Sequence, residues 1–419
     1  MVNLSPSRPI VRPARKLPAR TRIAVAAGRA AARFSRRSGL GGGGIIGGRV
    51  SLALDPAVLG RLADGRKVVL VTGTNGKTTT ALMLAKALGT LGKVAANSDG
   101  ANLPDGVAAA LAARPDAPYA VLEVDETYLP AVARQTRPAV IVLLNLSRDQ
   151  LDRVGEVRST ERDLRAAFTE NPGAAVVANA DDVLVASAAL AAAHPVWVSP
   201  GPGWRGDALS CPRCGNAVLH DGVHWSCPCG LRRPEPQWAL DNGELHGPGG
   251  RIGLNLRLPG RVNVVNAAFA IAAGHEAGAH VPQAAHAVES ISAVAGRYRL
   301  IPFGRSTIRL LLAKNPAGWR ETLSLLDERR PVVIAVNGRE ADGRDLSWLW
   351  DVEFERLRGR RVVASGERAA DLAVRLRYAD LPHDVEADPV RALSGLPGTV
   401  EVVANYTAFR ELNARYGDV

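Results

Sequence analysis

From about residue 66 onward, apolar and polar positions follow two alternating periods. The runs RKVVLVTG (66–73), YAVLEVDE (119–126) and AVIVLLNL (139–146) are almost wholly apolar until they end in polar residues. That pattern predicts strands buried on both faces of a parallel sheet. Between them the spacing changes: within residues 77–91, Met83, Leu84, Ala87 and Leu88 share one helical face. Strands alternating with helices predict an α/β chain with a doubly wound sheet. In such sheets ligands collect beyond the carboxyl ends of the strands. Those ends carry Thr74 and Asn75, then Glu123, Asp125 and Glu126, then Asn145.

The stretch VLVTGTNGKTTTAL (69–82) joins the first strand to the first helix through a glycine turn. A helix start offers unpaired backbone N–H groups and the positive end of the helix dipole to an anion. Gly73 and Gly76, with Thr74 and Asn75 between them, let the backbone close around phosphate oxygens. Lys77 supplies a charge, the Thr78 hydroxyl is a suitable Mg²⁺ ligand, and Thr79 belongs to the same cradle. Two residues separate the glycines, where the usual phosphate loop has four. A plain strand–helix connector has no need of Gly-Lys-Thr-Thr, so the stretch predicts a nucleotide site. Glu123 is placed to complete an Mg²⁺ site with Thr78; a capping or solvated acid is the alternative.

Composition adds bounds. A chain of 419 residues, 47% of them hydrophobic, buries ample core and divides into two or three domains. No apolar run approaches the ~20 residues of a membrane span, and no signal peptide is evident, so a cytoplasmic enzyme is expected. The formal charge of +11 is local: residues 1–50 hold eleven Arg or Lys and no acid, leaving 52 − 11 = 41 basic residues against 41 acidic ones. Within this arm, Ile23, Val25, Ala26 and Ala30 alternate with arginines at roughly helical spacing. Two readings stand: a basic helix resting on anionic lipid at the inner membrane face, or a solvated arm. GLGGGGIIGG (39–48) then reads as a flexible linker or a backbone-packed turn.

All four cysteines fall in CPRCGNAVLHDGVHWSCPCG. Cys211 and Cys214 form one knuckle, Cys227 and Cys229 another, and Gly215 and Gly230 permit the turns. Four thiolates from two tight turns suit tetrahedral Zn²⁺ in a ribbon inserted at about 205–235. A redox pair is the alternative, and His220 and His224 are substitute ligands or ordinary surface histidines. Zinc ribbons often bind nucleic acid, but the neutral body lacks a basic–aromatic surface, so no nucleic-acid partner is expected.

The chain resembles the Mur ligases. TGTNGKTTT, Glu123, NLSRDQLDRVGE (145–156), NADD (179–182), GRVNVVNAAFAIAA (260–273) and GRYR (296–299) occur in that family's order, over about residues 50–330. Further on, LLLAKNPAGW (310–319), the ADGRD-x-SW segment and the Cys₄ insertion resemble the MurT type of Mur ligase, which extends the likeness to the C-terminus. Two departures separate the chain from the amino-acid-adding members. Asp149-Gln150-Leu151-Asp152 stands where those carry a histidine, and the phosphate loop begins near residue 72, with no large domain before it for a UDP-linked precursor. A third departure is local to MurT: Asn337 is followed by Gly338, not by the usual acid.

The resemblance implies a basic arm and linker (1–50), a Mur-ligase ATP-binding domain with its P-loop and zinc ribbon (51–296), and a Rossmann-like C-terminal α/β domain (297–419). It implies ATP, Mg²⁺ and structural Zn²⁺ as cofactors, with Asn263 and Asn266 near the nucleotide base and Arg297 reaching the phosphates. It implies amidation of the D-glutamate α-carboxylate of lipid II to D-isoglutamine through an acyl phosphate. Lys77 and Glu123 would serve the transfer. Ammonia would come from a GatD-type glutaminase, whose histidine Asp345 would orient; Asp342 and Asp351 are the neighbouring acids. Three other readings remain. They are an amino-acid-adding or folylpolyglutamate-type ligase, a zinc-ribbon ATPase on nucleic acid, and a non-catalytic subunit.

Overall fold

The strands form where β-branched and aliphatic residues run together. In the computed structural model, which describes residues 17–38, 44–97, 100–148, 157–292, 298–304 and 306–416, they fall into two units. One comprises Met1–Leu146 and Val157–Ser292, the other Ser147–Glu156 and Ala293–Val419.

The first unit opens with helices α1 (Ala19–Arg37), α2 (Gly44–Leu54) and α3 (Val58–Ala63). Then follow β1 (Lys67–Thr72), α4 (Lys77–Leu88), β2 (Val94–Ala96), α5 (Pro104–Ala113), β3 (Tyr119–Glu123), α6 (Leu129–Thr136) and β4 (Val140–Leu143). After α7 (Val157–Glu170) come β5 (Ala175–Asn179), α8 (Val183–Ala189) and β6 (His194–Ser199). A small hairpin, β7 (Leu219–Asp221) and β8 (His224–Ser226), precedes the antiparallel run β9 (Trp238–Asp241), β10 (Glu244–Gly247) and β11 (Gly250–Gly253). Helices α9 (Arg261–Glu276) and α10 (Val281–Glu289) close the unit. The large sheet has the order β11-β10-β9-β6-β5-β4-β1-β3-β2, parallel from β2 to β9. Chain order is broken around β1, which lies between β3 and β4. The carboxyl end of β1 is therefore the switch point where a ligand crevice forms.

The glycine-rich stretch read as linker or turn is helical from Gly44, while residues 39–43 lie outside the described residues. The cause is close packing. A Cβ on Gly28 of α1 would collide with the Gly47 carbonyl oxygen of α2, and one on Gly48 with the Asp105 carbonyl oxygen of α5. The same helices are pinned by a buried carboxylate. The Thr21 hydroxyl and the Arg61 guanidinium each donate to Asp55 Oδ2 at 2.7 Å. Burial opposes that charge, yet Thr21, the Ala57 N–H and Arg61 together hold the carboxyl below its usual range.

The second unit is a six-stranded sheet of order β12-β13-β17-β14-β15-β16. Its elements are β12 (Tyr298–Phe303), β13 (Ser306–Leu312), α11 (Pro316–Ser324), β14 (Val332–Ala335), β15 (Val362–Ser365), α12 (Ala369–Tyr378), β16 (His383–Val385), α13 (Pro389–Ser394), β17 (Thr399–Ala404) and α14 (Tyr406–Tyr416). Only the β12–β13 pair is antiparallel. Period-2 alternation splits β14 between two cores. Val332 and Ile334 face the layer of Trp319, Trp348 and Phe354, while Val333 and Ala335 face that of Phe409.

Gly48→Ala tests the helix packing. Alanine adds about 1 kcal/mol of helix propensity, but its methyl group meets a backbone carbonyl that cannot rotate away, a strain of about 1–3 kcal/mol. A net loss of stability is expected, read as a lower denaturant midpoint at unchanged m. A raised midpoint would show that α2 and α5 stand further apart than described.

Candidate functional site

The turn after β1 is built so that side chains fit nowhere but outward. Gly73 has φ +130° and Gly76 φ +88°, both in the left-handed region that favours glycine. A Cβ at Gly73 would lie 3.0 Å from the Asn145 carbonyl oxygen, and one at Gly76 would lie 2.6 Å from Asn266 Oδ1. Asn145, just past β4, clasps the loop three times. Its carbonyl accepts from the Thr74 N–H at 3.0 Å, its Oδ1 accepts from the Asn75 N–H at 2.8 Å, and its Nδ2 donates to the Asn75 carbonyl at 3.0 Å. From the other side Asn266 of α9, buried, accepts from the Thr80 hydroxyl at 3.3 Å. The side chain of Asn263 donates to the Pro259 carbonyl at 2.7 Å.

Lys77 begins α4 and is buried. Its Nζ donates to the Gly73 carbonyl at 2.6 Å and to Glu126 Oε2 at 3.0 Å. The charge is thus held over the cradle by a carboxylate beyond the end of β3. Thr79 is buried, and Thr78 is half-buried on the next position of the same turn.

Glu123 ends β3 in register with Val71 of β1, two residues before Gly73. Its backbone is gripped by the Asn97 side chain, which accepts from its N–H and donates to its carbonyl, each at 2.8 Å. The residue is 3% exposed, yet its carboxylate has no hydrogen-bond or ion-pair partner among the described residues. A little-exposed carboxylate without a protein partner is available to a cation. The hydroxyl of Thr78 also has no partner among the described residues. A carboxylate and a hydroxyl are hard oxygen donors of the kind Mg²⁺ takes. Arg297 and the segment Asp149–Asp152 lie outside the described residues.

The four cysteines come together as expected. Their Sγ atoms all lie within 4.8 Å of one another, with Cys211–Cys229 at 3.7 Å, Cys214–Cys227 at 3.3 Å and Cys227–Cys229 at 3.5 Å. Tetrahedral Zn–S bonds of ~2.3 Å require S···S separations of roughly 3.8 Å, whereas a disulfide needs ~2.05 Å. The donor set fits a metal, and all four cysteines are free thiols. Each knuckle is a turn closed by its glycine: Gly215 N–H to the Cys211 carbonyl at 2.9 Å, and Gly230 N–H to the Cys227 carbonyl at 3.0 Å. The Leu231 N–H and the neighbouring thiols lower the Cys229 thiol to about 7, while, against the Cys229 N–H, burial and the same thiols push the Cys227 thiol up to about 12. His220 and His224 are not in the cluster; burial lowers the pKa of His220 and keeps it neutral.

This ribbon sits in the crossover between β6 and β9 and is fastened to the sheet. Trp225 donates to the Ala180 carbonyl at 3.1 Å, and Arg213 to Ser187 Oγ at 3.1 Å. Arg233 pairs with Asp181 at 2.7 Å, both buried. Cys211, Cys227 and Trp225 belong to the main hydrophobic core of the unit.

In the second unit, the loop after β14 holds the other predicted acids. Asp345 is exposed; the Ser347 N–H donates to it at 2.8 Å and holds its carboxyl below the usual range, so it is ionised at neutral pH. Asp342 is buried instead, and the Thr407 N–H donates to its Oδ1 at 2.8 Å, which makes it a structural anchor. Asn337 and Asn405 tie β14 to β17, the Asn405 side chain accepting from the Asn337 N–H and donating to its carbonyl. A cavity of about 140 Å³, lined by Asn337, Glu367, Asp388, Glu411 and Arg415, lies beside these strand ends. At Gly338, a Cβ would stand 3.0 Å from the Arg368 guanidinium.

Known proteins share this arrangement. The Mur ligase middle domain model matches residues 71–199, and the MurT ligase C-terminal model matches residues 312–409. Across 90% of its length the chain is 30% identical to the lipid II isoglutaminyl synthase (glutamine-hydrolyzing) subunit MurT of Streptococcus pneumoniae, covering 94% of that protein. The chain belongs to the MurT family. The corresponding MurT subunit of Staphylococcus aureus is 29% identical over 86% of the chain and 90% of that protein. The UDP-N-acetylmuramate–L-alanine ligase of Mycobacterium marinum is 29% identical over 84% and 73%. The fold matches MurF from Acinetobacter baumannii with a TM-score of 0.67 at 18% identity, over 88% of this chain and 80% of that one. It also matches a pseudomurein peptide ligase type C from Methanothermus fervidus with a TM-score of 0.66 at 20% identity, over 83% and 78%. Membership among Mur ligases implies ATP and Mg²⁺.

Two outcomes check this MurT-type site. Asn145→Ala removes two side-chain hydrogen bonds worth about 1 kcal/mol each. ATP affinity is expected to fall roughly tenfold to thirtyfold by calorimetry, with metal content unchanged; unaltered affinity would show that the loop holds its shape alone. Cys211→Ser removes a fully buried ligand. Because metal binding contributes folding free energy, the melting temperature should fall by about 5 °C or more, with bound metal lost from the purified protein. Four titratable thiols and no metal in the folded parent chain would defeat the metal reading.

Proposed function

We propose that this chain is the synthetase subunit of a lipid II isoglutaminyl synthase, a reading supported by relatives named as the MurT subunit of that enzyme. It amidates the α-carboxylate of D-glutamate in the lipid II stem peptide at the inner face of the membrane, with ammonia made by a GatD-type glutaminase partner. The observation that carries this reading is the cysteine inventory beside the phosphate site. The relatives are glutamine-hydrolyzing by name, and glutamine hydrolysis uses an activated nucleophile, commonly a thiolate. All four cysteines of this chain sit in one cluster of metal-ligand geometry. The nucleophile therefore belongs to another chain.

In the proposed chemistry the substrate carboxylate attacks the γ-phosphate of ATP, its oxygen forming the new P–O bond as ADP leaves. Ammonia then attacks the acyl carbon, phosphate departs and an amide remains. The N–H groups of Gly76, Lys77, Thr78 and Thr79 at the start of α4 bind the nucleotide phosphates, and Lys77 offsets charge growing on the transferred group. Thr78 and Glu123 would hold Mg²⁺, which neutralises phosphate charge when bound. Arg297, Asn263 and Asn266 are assigned to the nucleotide by the family likeness. Zn²⁺ at Cys211, Cys214, Cys227 and Cys229 is structural. The proposed domain scheme keeps residues 51–296 as the ATP-binding domain and 297–419 as the C-terminal domain.

Asp345 is proposed to orient the glutaminase histidine across the subunit boundary; its exposure and ionised state suit that task. Asp345→Asn tests the division of labour. Loss of such an orienting carboxylate costs up to ~10⁴-fold in comparable triads. Amidation by the complex with glutamine should fall by a factor approaching that, while ammonium at alkaline pH restores it, because the acyl phosphate chemistry is untouched. Equal impairment with both nitrogen sources would remove Asp345 from the glutaminase site.

A further inference from the structure

We propose that the end of the α1–α2 hairpin bearing Phe34, Ile45 and Ile46 docks on an anionic phospholipid bilayer. Spacings of seven and eleven residues align Ile23, Ala30 and Phe34 on one line of α1, and Arg22, Arg29 and Arg33 on the adjacent line. Ile23 is 66% and Phe34 71% exposed, although both are large apolar residues of a well-packed helix. The opposite face is already used, with Ala24, Gly28 and Ser35 buried.

Helix α2 runs antiparallel to α1. Gly47 lies against Gly28 and Ala32, the Ser51 hydroxyl donates to the Ala24 carbonyl at 3.2 Å, and Arg20 donates to the Leu54 carbonyl at 2.8 Å. The start of α2 therefore stands beside the end of α1. Ile45 and Ile46, 46% and 39% exposed, reach the same end of the hairpin as Phe34.

Charge decides what covers this end. Arg22, Arg33, Arg36 and Arg37 make no ion pair among the described residues, and residues 1–50 contain no acid. The rest of the chain is balanced, so the positive field is concentrated here. Exposed apolar side chains next to a row of guanidiniums match a helix lying in the headgroup boundary, with apolar groups among acyl chains and arginines at lipid phosphates. No helix among the described residues is long and apolar enough to cross a membrane, so contact is at the surface. The inference deepens the proposed function, on which its biological purpose rests, since a lipid-linked substrate occupies the same bilayer.

The test is flotation of the purified full chain with vesicles of equimolar phosphatidylglycerol and phosphatidylcholine, against vesicles of phosphatidylcholine alone. Binding to the anionic vesicles only is expected, weakened in molar salt. Replacing three arginines together (Arg33→Gln, Arg36→Gln and Arg37→Gln) should lower partitioning on the order of 10²-fold. Since the substituted groups are exposed, melting temperature should hold. As an independent arm, Phe34→Trp should add quenching by bromine-labelled acyl chains beyond the background of the seven native tryptophans. Absent flotation, flotation indifferent to the arginines, or no added quenching would each overturn the surface. Binding of soluble heparin without flotation would also overturn it, in favour of a soluble acidic partner. A parent chain that floats but does not amidate lipid II when given ATP, Mg²⁺ and ammonium at alkaline pH would sink the proposed function and leave the bilayer surface standing.

Discussion

The clasp of Asn145 on the loop from Gly73 to Gly76 is the constraint on which the proposed nucleotide site depends. A glycine turn left to itself loses much conformational entropy on being fixed. Here the neighbouring strand carries that role: β4 lies directly beside β1, so an asparagine just past its end meets the loop backbone as both donor and acceptor. Strand order is thus part of the chemistry. On the other flank, β3 brings Glu123 level with Val71, so the proposed metal-holding carboxylate and the proposed phosphate cradle share the carboxyl end of one sheet. Such rigidity is what phosphoryl transfer needs, because its catalysis is mostly positioning and fixed charge.

The Cys₄ ribbon answers a different problem. The connection from β6 to β9 is long, and a long crossover without secondary structure is hard to keep ordered. Its hairpin is too small to bury a core of its own. Two knuckles gather four thiols at one point, and Trp225, Arg213 and Arg233 then seat the ribbon on α8 and the strand ends beside it. Arg233 and Asp181 are buried together, an arrangement favourable only while both partners stay in register. The closure of the knuckles and the docking of the ribbon are therefore coupled. Loosening the knuckles exposes a buried ion pair as well as the apolar contacts of Cys211 and Trp225.

Much of this was legible in the sequence because the signals were local. The apolar runs marked β1, β3 and β4 to within a few residues, and the helix expected over 77–91 ends at Leu88, where Gly89 caps it. The cysteine spacing announced its cluster. What sequence reasoning missed depends on partners distant along the chain. Asn145 was only a polar strand end, Asn97 gave no signal, and Glu126 stood among three acids without a role. Each gains its function from a neighbour that strand order supplies: Asn75, Glu123 and Lys77 respectively. The glycines from 44 to 48 failed for another reason. Glycine lowers helix propensity, so the stretch reads as linker or turn; it is helical because only glycine lets α2 approach α1 and α5 so closely.

The two acids of the ADGRD segment show how burial divides one motif between scaffold and surface. Asp342 and Asp345 are three residues apart, yet the first is buried under the Thr407 N–H and hydroxyl while the second faces solvent. The buried one fixes the loop to the start of α14, beside the Asn337–Asn405 exchange that ties β14 to β17. That anchoring gives the exposed one a defined position at the strand ends, and the Ser347 N–H keeps it charged. A surface carboxylate on an unanchored loop would spend its charge on water and hold no fixed direction. Held this way, it has the fixed charge and direction that the proposed contact with a histidine of another chain requires.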